Sequence, residues 1–380
     1  MNNKFNLFKG NFSSILLSLF VIFLLLNIPP SIAKTEKNIQ ESILPSSFSW
    51  QDINETDYTT SIKDQEPAPT CETYALCAAL ETLVQYKVGY PFECDLSEIH
   101  LFFYPGGNIE WGVHVVDAAN YLVEHGVPDE GCSPDPHRSY EYPYESLAGW
   151  ENRTVKIKEW GWVYNNIESI KQALVEHGPL IICIIVWTDF IYYKGGVYTP
   201  KWWGQIEFGH VVTIVGYDDN QECWIVRNSA GEDWGEEGYA RVSYYAHNPR
   251  HPFIWPFYGG TGIMYIDGVY GNLKPDVPKV YIEYPKRHKT YIFGYELPTI
   301  LRKLSFIQTG VPRVLGEITF KLNTLNTNKV EFYLDNILQE VLDGPPFELK
   351  VQASSGLHTI ETLAYNDENT SKDIMDVYFF

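Results

Sequence analysis

The alternation of apolar and polar positions changes rhythm three times along the chain. Residues 15–26 form an apolar run broken only by Ser18. From Cys71 onward, Tyr74, Cys77, Ala78, Glu81, Val84 and Gln85 recur on one face at helical spacing, and Gly89 with Pro91 stops the run. A second helical pattern starts at Leu96-Ser97-Glu98 and breaks at Pro105-Gly106-Gly107; a third covers 113–125 and ends at Gly126. Up to about residue 150 the chain therefore reads as mainly α. After that it reads as mainly β: a strand over 155–163, a short helix over 167–177, buried strands over 180–186 and 210–217, then strands over 223–227 and 238–242. Pro275 and Pro278 precede the apolar stretch Val280-Tyr281-Ile282 and mark a boundary. Beyond it, 318–322, 329–334, 347–351 and 358–365 read as strands, several with period-two alternation, separated by Asp, Asn, Gly and Pro. That pattern predicts an antiparallel β-sandwich.

Four segments follow. Lys4 and Lys9, the apolar run and Pro29-Pro30-Ser31-Ile32-Ala33 predict a secretory signal over 1–33, cut after Ala33. Residues 34–43 are a short polar linker, which leaves no room for a long propeptide. An α+β unit follows over 44–271, with an α-rich part over about 65–150 and a β-rich part over about 151–271. The sandwich, of Ig-like pattern, takes 277–380. The expected location is secreted or cell-surface, with no stable membrane span once the signal is cleaved.

Composition sharpens this picture. At 45% hydrophobic and 15% aromatic residues the chain can bury sizeable cores. A net charge of −20 argues against nucleic acid and anionic membranes as partners. Six cysteines are present without a CxxC pair, so no zinc site and no cofactor are expected. Cys77, Cys183 and Cys223 lie in apolar runs and read as buried small hydrophobes. Cys94 and Cys132 lie in loop-like sequence and are the disulfide candidates.

Cys71 reads differently. It follows Thr70, a residue suited to capping, and Pro67 and Pro69, which suit a stiff loop better than a helix interior. A helix N-terminus and an imidazolium both lower a thiol's pKa towards the nucleophilic thiolate. Attack on a carbonyl creates an oxyanion that needs two donors; the Cys71 backbone N–H and the Gln65 side-chain amide can supply them. His210, beside Gly209 at the start of a buried strand, is the candidate base. Asn228, at the end of the next strand, would orient its ring.

Taken together, Gln65 six residues before Cys71, Glu81 ten after it, Gly209-His210 before Val211-Val212-Thr213, and the run Arg227-Asn228-Ser229-Ala230-Gly231 resemble the papain-like cysteine peptidases. Family spacing puts His and Asn about 130–150 residues after the Cys; here the separations are 139 and 157. The resemblance covers about 44–270. It implies a two-lobe fold, α-rich and β-rich, with a cleft between, and a peptide or protein substrate. It implies Cys71 as nucleophile, His210 as acid–base, Asn228 as orienter and Gln65 as oxyanion donor. It also maps Gly106 and Gly107 onto the glycine pair that meets substrate backbone, and Gly209, Cys183 and Val211 onto the borders of the substrate pocket.

This chain departs from the family pattern in three places. Ala68 stands where a disulfide cysteine is usual, Glu72 where a Trp follows the nucleophile, and Ala230 where a Trp shields the Asn–His bond, with Trp234 as a substitute shield. Glu72 suits a helix start but would raise the thiol's pKa. These changes motivate two rival readings: a weak or inactive binding or adhesion protein on the same fold, or an acyl transferase or peptide ligase. The C-terminal part is expected to dock a surface, a polymer or a protein.

Overall fold

The structure, a computed structural model, describes residues 44–92, 94–135, 145–201, 203–248, 251–256, 260–272, 278–286, 289–297, 311–367 and 369–380. The signal segment expected over 1–33, the linker over 34–43 and the prolines around 275 lie outside the described residues, apart from Pro278. Among the described residues, no helix is long and apolar enough to cross a membrane.

Among the described residues, three α-helices make the first lobe: Cys71–Val88, Glu98–Phe103 and Val115–Glu124. Gly89 closes the first of them in the left-handed conformation, its N–H donating to the Gln85 carbonyl. Ser97 and His114 cap the other two through their side chains. The Cys71–Val88 helix is not one-sided as its period suggests. Thr73, Ala75, Leu76, Ala79, Leu80 and Thr82 are buried as well as the expected face. Its apolar positions pack both on the other two helices and on Ile181, Cys183 and Val211 of the neighbouring sheet. Covered on both sides, the helix reaches solvent mainly in its last turn, at Tyr86 and Lys87, so its sequence loses the polar stripe that period analysis relies on.

The second lobe is an eight-stranded sheet. Its order is Glu159–Trp162, Ile263–Asp267, Leu180–Trp187, Ile206–Asp218, Cys223–Arg227, Tyr239–Ser243 and Val197–Tyr198, with Ser47–Ser49 also pairing on Ile206–Asp218. The stretch expected as one strand over 155–163 divides. Thr154–Lys156 joins a small sheet with Val127–Pro128 and Tyr270–Gly271, while Glu159–Trp162 edges the large one. Ile157 between them is buried in the helical lobe's core, and the Lys158 N–H donates to Asp267.

Among the described residues, the C-terminal region is all β. A three-stranded sheet (Lys279–Tyr284, Ile318–Leu325, Glu348–Val351) and a seven-stranded one enclose a core that includes Phe320, Phe332, Ile360, Met375 and Phe379. The pairing is not wholly antiparallel: Arg313–Leu315 runs parallel to both Thr290–Ile292 and Thr370–Phe379. Contacts tie this region to the first lobe. Tyr281 donates to Asp95 Oδ2 at 2.7 Å. Arg153 donates to Ser371 Oγ at 3.0 Å and to the Thr370 carbonyl.

Candidate active site

Cys71 is the first residue of its helix. Thr70 does not cap with its side chain; its hydroxyl turns back to the Ala68 carbonyl at 3.4 Å. The Thr70 carbonyl instead accepts the first helical N–H groups, from Thr73 and Tyr74. Cys71 is only 8% exposed. Its thiol donates to Glu72 Oε2 at 3.4 Å, and the Val211 backbone hydrogen-bonds to the sulfur. Burial pushes the thiol well above its ordinary value and the Glu72 carboxylate pushes it further, against the Val211 contact.

His210 and Asn228 meet because their strands are neighbours. Ile206–Asp218 pairs antiparallel with Cys223–Arg227, with Thr213 opposite Arg227. His210 Nε2 donates to Asn228 Oδ1 at 2.9 Å. The same oxygen accepts the Ser229 N–H at 2.9 Å, which fixes which end of the amide faces the ring. With Nε2 holding the proton, Nδ1 is the basic nitrogen of the neutral ring. Burial lowers the His210 pKa and the bond to Asn228 opposes that shift. Asn228 is itself buried; Trp234 packs on Phe190 and Tyr193 and donates to the Ile191 carbonyl. Ala230 is exposed and bridges to Asp64.

Gln65 is held at both ends of its amide. Its Oε1 accepts from Ser229 Oγ at 2.6 Å, and its Nε2 donates to the Ala68 carbonyl at 3.0 Å. The backbone N–H of Gln65 also donates to the Ser229 carbonyl at 3.0 Å. The loop before Cys71 is thereby pinned to the turn after Asn228. A further clamp joins the two lobes: Thr213 Oγ1 donates to the Ala75 carbonyl at 3.1 Å, one turn into the Cys71 helix.

Cys183 and Val211 are register partners on adjacent strands, and both pack in the core cluster that holds Cys71. Gly209, opposite Ile185, is exposed. The two glycines of the expected pair have different surroundings. Gly107 closes the Glu98–Phe103 helix, its N–H donating to the Phe102 carbonyl at 2.9 Å, and a Cβ there would strike that carbonyl. Gly106 borders open space, at φ +96°. The glycine beside the thiol's helix is Gly112, at φ +83°, where an added Cβ would lie 3.4 Å from the Pro69 carbonyl and 3.5 Å from the Glu72 carboxylate. It ends a tight turn in which Asn108 and Gly112 exchange backbone hydrogen bonds. Nothing in the pattern of the sequence distinguishes Gly112 from the more conspicuous Gly106-Gly107 pair. Ser229 and Thr213, the fasteners of the site, carry no sequence signal beyond their neighbours.

The disulfide expected between Cys94 and Cys132 does not form: both thiols are free and buried. Cys94 packs in the helical lobe's core, while the Cys132 thiol turns to Asp129 Oδ2 at 3.7 Å. Among the described residues, no group of three or more His, Cys, Asp and Glu side chains is placed to hold a metal.

A model of the papain family of cysteine proteases matches residues 44–250. Cathepsin M of Mus musculus is 26% identical over 237 residues, which cover 58% of this chain and 67% of that protein. Cysteine proteinase 1 of Entamoeba histolytica is 33% identical over 211 residues, 52% of this chain and 63% of that one. Among solved structures, the bromelain protease of Ananas comosus is similar at 25% identity and a TM-score of 0.47, over 59% of this chain and 99% of that one. With more than half of its length matched by the family model, and with Cys71, His210 and Asn228 within that match, this chain belongs to the papain family of cysteine proteases.

Proposed function

We propose that the protein is a cysteine peptidase that cleaves peptide bonds through a thioester on Cys71. The His210–Asn228 hydrogen bond at 2.9 Å carries this reading, because it leaves the basic Nδ1 free to take the thiol proton. Cys71 attacks the carbonyl carbon, and the Cys71 N–H and Gln65 Nε2 receive the oxyanion. His210 returns the proton to the leaving amine, then deprotonates the water that releases the acid. Cys183, Val211, Gly209 and Gly112 border the substrate. The expected segment over 1–33 supports export, and the two C-terminal sheets support an Ig-like module that docks a surface, a polymer or a protein.

The test is active-site titration by an epoxide reagent together with hydrolysis of peptide substrates. Stoichiometric labelling of Cys71, with turnover lost in Cys71→Ala and strongly reduced in Asn228→Ala, is the expected result. A folded protein that neither labels nor hydrolyses would sink the proposal. One observation favours a second reading, a binding protein without turnover: the Cys71 thiol faces a carboxylate, which disfavours the thiolate. The same titration separates the two readings.

A further inference from the structure

Glu72 occupies an unusual position for a carboxylate. It is half-buried, one residue into the Cys71 helix, with Oε2 3.4 Å from the reacting sulfur. Besides its own backbone, the Cys71 thiol is its hydrogen-bond partner, and no lysine or arginine among the described residues is within ion-pair distance. The element packed across from it contributes another thiol, Cys183, whose ionisation Glu72 opposes. On the open side stands Gly112, whose missing side chain leaves both carboxylate oxygens clear: an added Cβ would approach them to 3.5 and 3.6 Å. A charge drawn partly out of water without a counter-charge is unfavourable, and a cation brought by a ligand relieves it.

We propose that Glu72 is a specificity-determining residue that pairs with a cationic group of the substrate close to the scissile bond; this rests on the reading of Cys71 as nucleophile. The distances limit which cation can serve. A charge-assisted N–H···O bond spans about 2.8 Å, so the nitrogen must lie within about 6 Å of the sulfur. The free α-ammonium of the residue that carries the scissile carbonyl satisfies this, being about 2.5 Å from the carbonyl carbon by covalent geometry. A lysine or arginine side chain on that residue does so by folding back. Both present the same chemistry, an N–H cation beside the thioester. The chain's net charge of −20 draws such substrates towards the protein from a distance.

The test uses the full chain and four matched fluorogenic substrates. One pair differs in a free against an acetylated α-amine; the other, acetylated, differs in lysine against norleucine at the residue bearing the scissile carbonyl. The parent is expected to prefer the cationic member of at least one pair by about tenfold to a hundredfold in kcat/KM, the worth of one hydrogen bond to a charged group. In Glu72→Gln that ratio should fall to about one. The pair that responds identifies the source of the cation. No preference in the parent, or one that survives in Glu72→Gln, overturns the inference. If the folded parent hydrolyses none of the four, the peptidase reading fails, and Cys71 labelling then decides this one. An aminoethyl thiosulfonate should modify Cys71 faster than its neutral methyl counterpart in the parent, and the ratio should drop in Glu72→Gln. Equal ratios in the two proteins overturn it.

Discussion

At the residue scale, the contact between Cys71 and Glu72 predicts a pH dependence. Burial pushes the Glu72 carboxyl up to about 7, partly offset by hydrogen bonds from its own backbone and from Cys71. Below that value it is largely neutral and the thiolate meets no repulsion from it; above, it is ionised and opposes the thiolate. Glu72→Gln should therefore alkylate with iodoacetamide about tenfold faster than the parent at pH 8, roughly one pKa unit of relief, and at a similar rate at pH 5.5. A ratio independent of pH would show that the carboxylate does not govern the thiol. The same group leaves a mark on stability. Its folded value lies above the ordinary 4.5, so the folded state binds the extra proton between those values and loses stability as pH rises through about 7. Glu72→Gln should raise Tm at pH 8 and change it little at pH 4.5, as measured by calorimetry across pH. His210, lowered by burial, stays neutral more readily than a free imidazole. Burial thus disfavours both the Cys71 thiolate and the His210 imidazolium.

At the scale of elements, the helix bearing Cys71 is fixed by polar contacts that no periodicity announces. Lys63 Nζ reaches Glu81 at 2.9 Å, Asp95 at 2.6 Å and Glu98 at 2.7 Å. Burial opposes its charge, but those three carboxylates hold its pKa well above the ordinary value. Glu81 also accepts from Thr60 Oγ1 at 2.6 Å and the Leu96 N–H at 2.9 Å, joining the N-terminal segment to the loop after the helix. Lys63→Met would leave buried carboxylates without their cation and should destabilise the fold by about 3–5 kcal/mol in urea denaturation. A loss below about 1 kcal/mol would mean that the carboxylates simply take up protons. The Thr213→Val variant, which breaks the clamp to Ala75, should lower stability by about 1 kcal/mol and kcat severalfold while KM holds. The sequence makes the long helices and the buried strands legible, since Gly89, Gly126 and Gly178 punctuate them and Leu180 to Trp187 is apolar throughout. It hides Ile337–Leu342, a largely exposed edge strand with no inward face to alternate, and Thr370–Phe379, whose Asp376 is buried against Thr359. Among the residues of the proposed site, Cys71, Gln65, His210 and Asn228 stand out in the sequence because their chemistry is specific. Gly112, Ser229 and Thr213 are not, because their work depends on which loops the fold brings together.

At the scale of the whole molecule, the C-terminal sheets are fastened to the lobe that carries Cys71. Sequence alone suggests a separable appendage after the prolines near 275; the contacts suggest a shared unit. Tyr281 donates to Asp95, one of the carboxylates around Lys63, and the Asp95 pKa is held low against burial by Lys63, Lys279 and the Tyr281 bond. Arg153 clasps Asp129 through Nε at 2.8 Å and reaches across to Thr370 and Ser371. Gly131 sits so close to Ser371 that a Cβ would overlap it. Next to these, Tyr74 of the Cys71 helix donates to Asp135 at 2.8 Å. A cavity of about 280 Å³ lies among these groups, bounded by Lys63, Asp95 and Glu130 on one side and Lys279, Tyr281 and Asp373 on the other. Separation of the two regions would expose the Asp95–Lys63 cluster to water and free the 129–135 loop that steadies the Cys71 helix. The full chain should therefore unfold in one calorimetric transition. Tyr281→Phe combined with Arg153→Met removes hydrogen bonds to charged groups worth about 1.5–3 kcal/mol each, and should split that transition into two, the lower belonging to the peptidase lobes. Turnover should fall with the lower transition and not with the upper one. If the double variant still melts in one step at the parent's temperature with unchanged turnover, these contacts are incidental and the C-terminal sheets are a tethered module after all.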